Sequence, residues 1–534
     1  MLVKVTVKPS EKQQKSDTDL INSIDAFVSA QVEKRGIPGL SVAIIKDNKR
    51  IFSKGWGIKS IDRIGEPNNE MTADTPIVQC SLSKSFVAGA ISILVNQKKL
   101  EWNTPLKTFV PDLEFSDEYV TNNINLLDLL SHRSGFLGNL RAFSSNHGYL
   151  KSSDQLFESL KHLEMSKDFR NSYVYSNYMY VLLSIIIEKV SGVSFYEFVK
   201  VNIFEPLGMN ARYEVEGDSA EPHDLDYSPE EFLEAYKGKS PEELFDFKPK
   251  LCVIPRYNCY QNGAPGGIVC SANDMAKWIQ CLMNDGKAED GTQVIYDVNK
   301  VLTKVHNAQN NQLGGVIKFV GDGCGLVIDQ IDKYRIIRHT GGLPGITTYL
   351  TYTNNTDLKL GLYVGSNSKH HRVALDALFY ALATFLHPEA GKPLMDSVLT
   401  HKAPLPGLAS LISDIEKYTQ GDIKIHPRFD DFMGEYTHPA YGLVTITKHE
   451  KEGYLFMTRE PEVNRTLYPI RQNQHNLNPS ALSFYEDSGK FETYKVGTCT
   501  AGSIISWNFV INTDDTISLV YKTDVVATFV KNTV

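Results

Sequence analysis

Apolar residues first recur with helical spacing between Ser16 and Arg35, where Leu20, Ile24, Phe27, Val28 and Val32 share one face. Ser16 followed by Asp19 has the form of a capping box, and Gly36 with Pro38 supplies a stop. The next stretch, GLSVAIIKDNKRIFSKGWG from Gly39 to Gly57, reads as two strands about a turn at Asp47-Asn48. Phe86 to Val95, FVAGAISILV, is almost wholly apolar and predicts a helix buried on most sides. A long, mostly helical middle continues to about Met283. Strands return in GCGLVIDQ, YRIIRHT, ITTYLTYT and LKLGLYVG, and a helix from about Ser368 to Leu386 closes the region. Strands at both ends with helices between them predict an α/β (α+β) fold. It would be one antiparallel sheet flanked by terminal helices, plus a helical subdomain.

The pattern changes after this. From Gly391 to about Arg428 the chain contains prolines and loses its periodicity, which predicts a linker with a short helix. Beyond it, YGLVTITK, GYLFMTR, RTLYPI, ALSFYED, KFETYKV, ISWNFVIN, ISLVYK and VVATFV are short alternating runs split by turn residues. Such spacing predicts a small all-β barrel-like or sandwich domain. The expected organisation is an N-terminal extension (1–15), a main domain (16–390), a linker (391–428) and a β domain (429–534).

Composition narrows the function. The 534 residues are 42% hydrophobic and 22% charged, ordinary globular values, and the length suits more than one domain. With 63 acidic against 55 basic residues the net charge is −8, which argues against nucleic acid or an anionic membrane surface as partner. No apolar run approaches the ~18 residues of a membrane span. The first fifteen residues, MLVKVTVKPSEKQQK, lack the apolar core of a secretory signal. Seven scattered cysteines then read as reduced thiols, and the expected location is cytoplasmic. No spacing of His, Cys, Asp or Glu resembles a zinc site, and neither a metal nor a cofactor is expected.

The chemistry begins in QCSLSKSFVAGA, from Gln79 to Ala90. Charged groups rarely enter apolar surroundings unpaired, yet Lys84 stands at the head of this apolar helix. Ser81 and Lys84 are three apart and share a helical face. A serine hydroxyl needs a base to become a nucleophile, and a desolvated lysine can be that base. Taken alone, the triplet also fits an N-cap serine beside a snorkelling lysine. Two further elements change its meaning. Tyr175-Ser176-Asn177 opens a second strongly apolar stretch, and His339-Thr340-Gly341-Gly342 ends a strand. The triplets Tyr260-Gln261-Asn262 and Tyr352-Thr353-Asn354 have the same Y-x-N form but open no buried helix.

With these three motifs in order, the chain from about Ser16 to Leu386 resembles the β-lactamase-related serine hydrolases. That group includes class C β-lactamases, D-alanyl-D-alanine carboxypeptidases, D-aminopeptidases and esterases. LLDLLSHRSGF resembles the family's segment before the helical subdomain. NGAPGGIVCSANDMAKWIQ resembles its Gly-Gly turn into a helix, with Ser271 and Asp274 as a capping box. The β domain resembles the lipocalin-like domain that some members carry.

The resemblance implies a mechanism. Ser81 attacks a carbonyl to form an acyl-enzyme, and Lys84 and Tyr175 share the proton work. Asn177 orients Lys84 and the substrate amide, and Thr340 lies along the substrate. The backbone N–H groups of Ser81 and Gly342 form the oxyanion hole. The expected substrate is a small molecule or peptide with an amide or ester bond. Acyl transfer by the same intermediate, or an assembly role for the fold, are the competing readings. The β domain is a candidate for subunit contacts in a homo-oligomer.

This chain departs from the β-lactamase pattern at His339, where those enzymes place a lysine that meets the substrate carboxylate. A histidine there is mostly neutral near pH 7, which favours the esterase and aminopeptidase branches. His132, in LLSHRSGF, reads as a group that bonds backbone, and Cys80 as a small core residue. The acidic stretch from Glu214 to Phe247, with SPEE at Ser228 and Ser240, reads as an insertion over the cleft.

Overall fold

The computed structural model describes residues 16–136 and 153–386, apart from 214–216, 228, 241–242, 244–246, 255, 257–262, 314–316, 332, 344, 356–357 and 369–372. Residues 243, 412 and 433, and strands between 434 and 531, complete the description. The extension, nearly all of the linker and the run KFETYKV lie outside the described residues.

The first helix, Asp17–Arg35, starts where Ser16 accepts from the Asp19 N–H and the Asp19 carboxylate accepts from the Ser16 N–H. It ends at Gly36, in left-handed backbone. β1 (Gly39–Lys46) and β2 (Lys49–Gly57) turn through Asp47 and Asn48, both at positive φ as a two-residue hairpin requires. Four short strands follow: β3 (Ile77–Val78), β4 (His223–Leu225), β5 (Leu251–Val253) and β6 (Val269–Cys270). β3 pairs with β6, and β4 with β5.

The main sheet adds β7 (Asn307–Leu313), β8 (Ile317–Asp322), β9 (Val327–Ile331), β10 (Tyr334–Leu343), β11 (Ile346–Asn355) and β12 (Leu358–Ser366). It is antiparallel, in the order β2-β1-β12-β11-β10-β9-β8-β7. β7 and β8 are absent from the sequence expectation. NAQNNQL has no alternating apolar face, and its strand character comes from pairing with the sheet edge.

β1 is nearly continuously apolar because both its faces are covered. Leu40, Val42 and Ile44 pack on the terminal helices Asp17–Arg35 and Val373–Leu386. Those helices meet where Phe27 stacks on Tyr380 at 4.1 Å. The closing helix is described over Val373–Leu386; residues 369–372, which its periodicity would add at the start, lie outside the described residues. Ala43 and Ile45 join the opposite core, which holds the helix Ala272–Met283 and the helical region. At the centre of that core, Phe86 of the helix Ser83–Asn96 stacks on Trp278 at 4.2 Å.

Eight described strands between Gly434 and Lys531 pair antiparallel in chain order and close on themselves.

The insertion is fastened to the end of the main sheet. Ala220 N–H donates to Pro76 O and Glu221 N–H to Lys59 O. The buried His223 ring accepts from the Ile61 N–H at 3.1 Å, so its Nδ1 donates to Asn367 O at 3.0 Å. Both ring nitrogens are committed to the neutral form. Burial, partly offset by the bond to Asn367, holds its pKa below the usual value. His132, His306 and His339 shift in the same sense. An unfolded histidine titrates near 6.5, so below that pH the unfolded chain takes up protons first and stability falls. Urea midpoints are therefore expected to drop from about pH 7.5 to about pH 5. A level or rising midpoint would contradict these buried neutral imidazoles.

Candidate active site

Ser81 lies in a tight turn, Cys80–Leu82, that feeds directly into the helix Ser83–Asn96. Cys80 adopts φ 52°, a left-handed conformation unfavourable for a residue with a side chain. The turn is gripped from several sides. Gln79 N–H donates to Ile268 O, and its side-chain amide donates to Ile77 O and Cys270 O. Thr348 Oγ1 of β11 donates to Gln79 O at 2.8 Å.

Two groups meet the Ser81 hydroxyl. Lys84 Nζ lies 3.1 Å from Ser81 Oγ, and Tyr175 Oη donates to the same oxygen at 2.9 Å. Ser83 and Ser85 are occupied elsewhere: Ser83 Oγ accepts from the Ile268 N–H, and Ser85 Oγ donates to Leu82 O and accepts from Trp278 Nε1. Lys84 is fully buried, at 0% exposure. Its second hydrogen bond goes to Pro265 O at 2.9 Å, and its amine lies 4.9 Å from the Tyr175 ring centroid and 5.4 Å from that of Tyr180. Desolvation pulls its pKa well below the usual lysine value, opposed by the neighbouring Cys80. The lysine is thus buried along its whole length rather than snorkelling to solvent.

The Pro265 carbonyl is a site group that residue types could not reveal. It comes from the described part of the Gly-rich turn, where Gly267 N–H returns to Gly263 O. The signal was the GAPGG string itself, read as a turn into a helix. Gly325, at φ 65°, is the second such contributor. A Cβ there would lie 2.7 Å from the Lys84 carbonyl oxygen and 3.2 Å from Tyr180 Oη, so only glycine lets this loop close on the lysine.

Tyr175 stands just outside its helix. Ser176 is the N-cap, accepting from the Met179 N–H, and Asn177 is the first helical residue. Of the rival Y-x-N triplets, Tyr260-Gln261-Asn262 lies outside the described residues and Tyr352 is buried in β11.

β10 brings the third motif alongside. β9 pairs with β10 only as far as Arg338, so β9 leaves the edge from His339 to Leu343 uncovered while β11 continues on the other side. Gly341 faces the Ser81 turn, and Gly342 pairs with Thr347. His339 is buried, its Nδ1 donates to Thr340 O at 2.7 Å, and its ring centroid lies 6.5 Å from that of Tyr175. Burial first, and the nearby Lys84 second, push its pKa down to about 3. His339 is neutral at physiological pH.

Residues 24–385 match the family model described as Beta-lactamase, and the chain belongs to that family. A protein named unguisins hydrolase from Aspergillus campestris is 25% identical over 551 residues, covering 95% of this chain and 90% of that one. The octameric penicillin-binding protein homologue from Pyrococcus abyssi has a similar structure, with TM-score 0.54, 21% identity, and coverage of 96% of this chain and 100% of that one. D-amino acid amidase from Ochrobactrum anthropi SV3, solved with L-phenylalanine amide, gives TM-score 0.53 at 19% identity over 69% of this chain and 99% of its own. The sheet, the terminal helices and the helical region are therefore the β-lactamase/transpeptidase-like fold that the motifs implied.

The fit between strand and turn is tight. A Cβ on Gly341 would meet Gln79 O at 2.7 Å and Cys80 Cβ at 2.9 Å. Gly341→Ala is expected to cost about 1–3 kcal/mol in a urea titration, the usual range for overpacking. An unchanged midpoint would mean that the strand and the turn are not held in this contact.

Proposed function

We propose that this chain is a serine hydrolase that cleaves an amide or ester bond through an acyl-enzyme on Ser81. One observation carries the reading: the Ser81 hydroxyl stands between Lys84 Nζ at 3.1 Å and Tyr175 Oη at 2.9 Å, with the lysine desolvated. As Ser81 Oγ bonds to the substrate carbonyl carbon, its proton passes to the Lys84–Tyr175 pair. The resulting oxyanion takes hydrogen bonds from the Ser81 and Gly342 N–H groups. Collapse expels the amine or alcohol, which leaves with the proton the pair had taken. Water then repeats the sequence and releases the acid. Asn177 and Thr340 orient the substrate, whose backbone lies along the uncovered edge of β10.

Peptides and D-amino acid amides rank above penicillins as substrates. The name of the Ochrobactrum relative supports the amides, and the neutral His339 supports the ranking against penicillins. Residues 16–390 form the catalytic unit in this reading, and 391–428 are a linker. Residues 429–534 are a lipocalin-like module, a homo-oligomer is supported by the octameric Pyrococcus homologue, and the setting is cytoplasmic.

A fluorophosphonate probe is expected to label Ser81 alone, and Ser81→Ala is expected to abolish both labelling and turnover. Labelling on Ser83 or Ser85 would overturn the assignment of the nucleophile. Lys84→Ala should lower kcat by at least ~100-fold, the scale of general base catalysis, and near-normal turnover would reduce that lysine to packing.

Substrate choice gives a separate check. A carboxylate on the substrate finds no charge at His339, and losing a charge-assisted hydrogen bond costs roughly 1.5–3 kcal/mol, about one to two decades in kcat/KM. The wild type should hydrolyse D-amino acid amides or short esters faster than nitrocefin. His339→Lys should move that ratio toward nitrocefin. A ratio indifferent to the substitution would remove His339 from substrate selection.

A further inference from the structure

His132 takes no part in the proton transfers assigned above, yet it holds Tyr175 from both sides. Its carbonyl oxygen accepts from the Val174 N–H at 2.8 Å, and its ring Nδ1 accepts from the Ser176 N–H at 3.1 Å. The residue between those two donors is Tyr175. The ring itself lies against the phenol, with centroids 4.5 Å apart. It is 3% exposed, and among the described residues its Nε2 has no hydrogen-bond partner. Because Nδ1 accepts, the single proton sits on Nε2 and the ring is neutral. An imidazolium would turn Nδ1 into a donor facing a donor.

The backbone at this point is costly as well. His132 has φ 59°, in the left-handed region where histidine is uncommon. The conformation is fixed by a brace on either side. The fully buried Asp128 caps the helix Leu126–Leu130, taking hydrogen bonds from Asn125 N–H, Arg133 Nε and both Arg170 Nε and Nη2. Arg170 N–H in turn donates to Arg133 O. Two segments distant in sequence, 128–133 and 170–176, are thereby laid side by side, and the histidine is the last link before the tyrosine. A group retained only for packing would not require a strained backbone, a fixed tautomer and a backbone bond on each flank of one tyrosine.

We infer that His132 is a positioning residue for catalysis, setting Tyr175 Oη on the Ser81 hydroxyl through its two backbone bonds and its ring contact. The inference rests on the role given to Tyr175 above. A displacement on the order of 1 Å at a reacting group can cost ~100-fold in rate, so a support of this kind is visible in turnover.

Three variants separate the components. His132→Gly tolerates the left-handed backbone and keeps the carbonyl bond, but has no ring. His132→Asn also tolerates that backbone, and its side-chain oxygen can take the Ser176 N–H in place of Nδ1. Tyr175→Phe removes the hydroxyl being positioned. With a D-amino acid amide as substrate, His132→Gly is expected to lower kcat by ~10- to 100-fold with KM within about twofold, and His132→Asn to restore most of the loss. In the Tyr175→Phe background the glycine substitution should cost less than about threefold, because the group it supports is gone. An undiminished loss in that background, a loss carried by KM, or an asparagine no better than glycine would each overturn the inference while leaving the Ser81 mechanism standing. Full turnover by Tyr175→Phe alone would overturn the role of the tyrosine and the inference with it. Circular dichroism on each variant identifies any that fail to fold; for those, the fluorophosphonate labelling rate of His132→Ala, which has neither ring nor side-chain acceptor, replaces turnover, with a rate unchanged from wild type overturning the inference.

Discussion

The structure turns on one amine that is wholly buried with no counter-charge beside it among the described residues. An ammonium at the Lys84 position would lose its hydration and gain no carboxylate among the described residues around it. The protein meets this constraint with oxygen atoms rather than counter-charge: the Ser81 hydroxyl and the Pro265 carbonyl. The Nζ–Oγ contact serves either protonation state. An ammonium donates across it, and a neutral amine accepts the hydroxyl proton. One set of contacts thus both desolvates the amine and fixes its direction.

The surroundings extend the same logic. Burial lowers the proton affinity of Lys84, His132 and His339 alike; Lys84 lowers that of both histidines further, and His339 that of His132. A histidine where β-lactamases place a lysine removes a fixed cation, and the buried His339 ring, with its pKa down at about 3, supplies no charge in its place.

Much of this was legible in the sequence because the local signals agreed with the fold. The capping boxes at Ser16 and Ser271 and the Asp47-Asn48 hairpin appear where their residue types place them. Ser81, Lys84, Tyr175 and His339 stood out as polar groups at the ends of apolar elements, where desolvation demands a reason, and the fold brings them together. What remained hidden was carried by backbone. The Pro265 carbonyl is identical in every residue type, so no composition announces it. β7 and β8 owe their state to neighbours rather than to an apolar face. His132 read correctly as a group that bonds backbone, but the segment it bonds is not adjacent in sequence and could not be named.

The spacing of these partners along the chain has a kinetic meaning. Lys84 meets a carbonyl 181 residues away, and Ser81 meets a hydroxyl 94 residues away. Closing loops of such length is entropically slow to begin and yields nothing until the ends are locked. The helix that follows Ser81 can therefore form before these contacts exist. In a nascent or partly unfolded chain, Ser81 has Lys84 within its own turn but neither the Tyr175 hydroxyl nor the Pro265 carbonyl nearby. The full set of contacts is complete only when both long loops have closed, whatever the helix has done before.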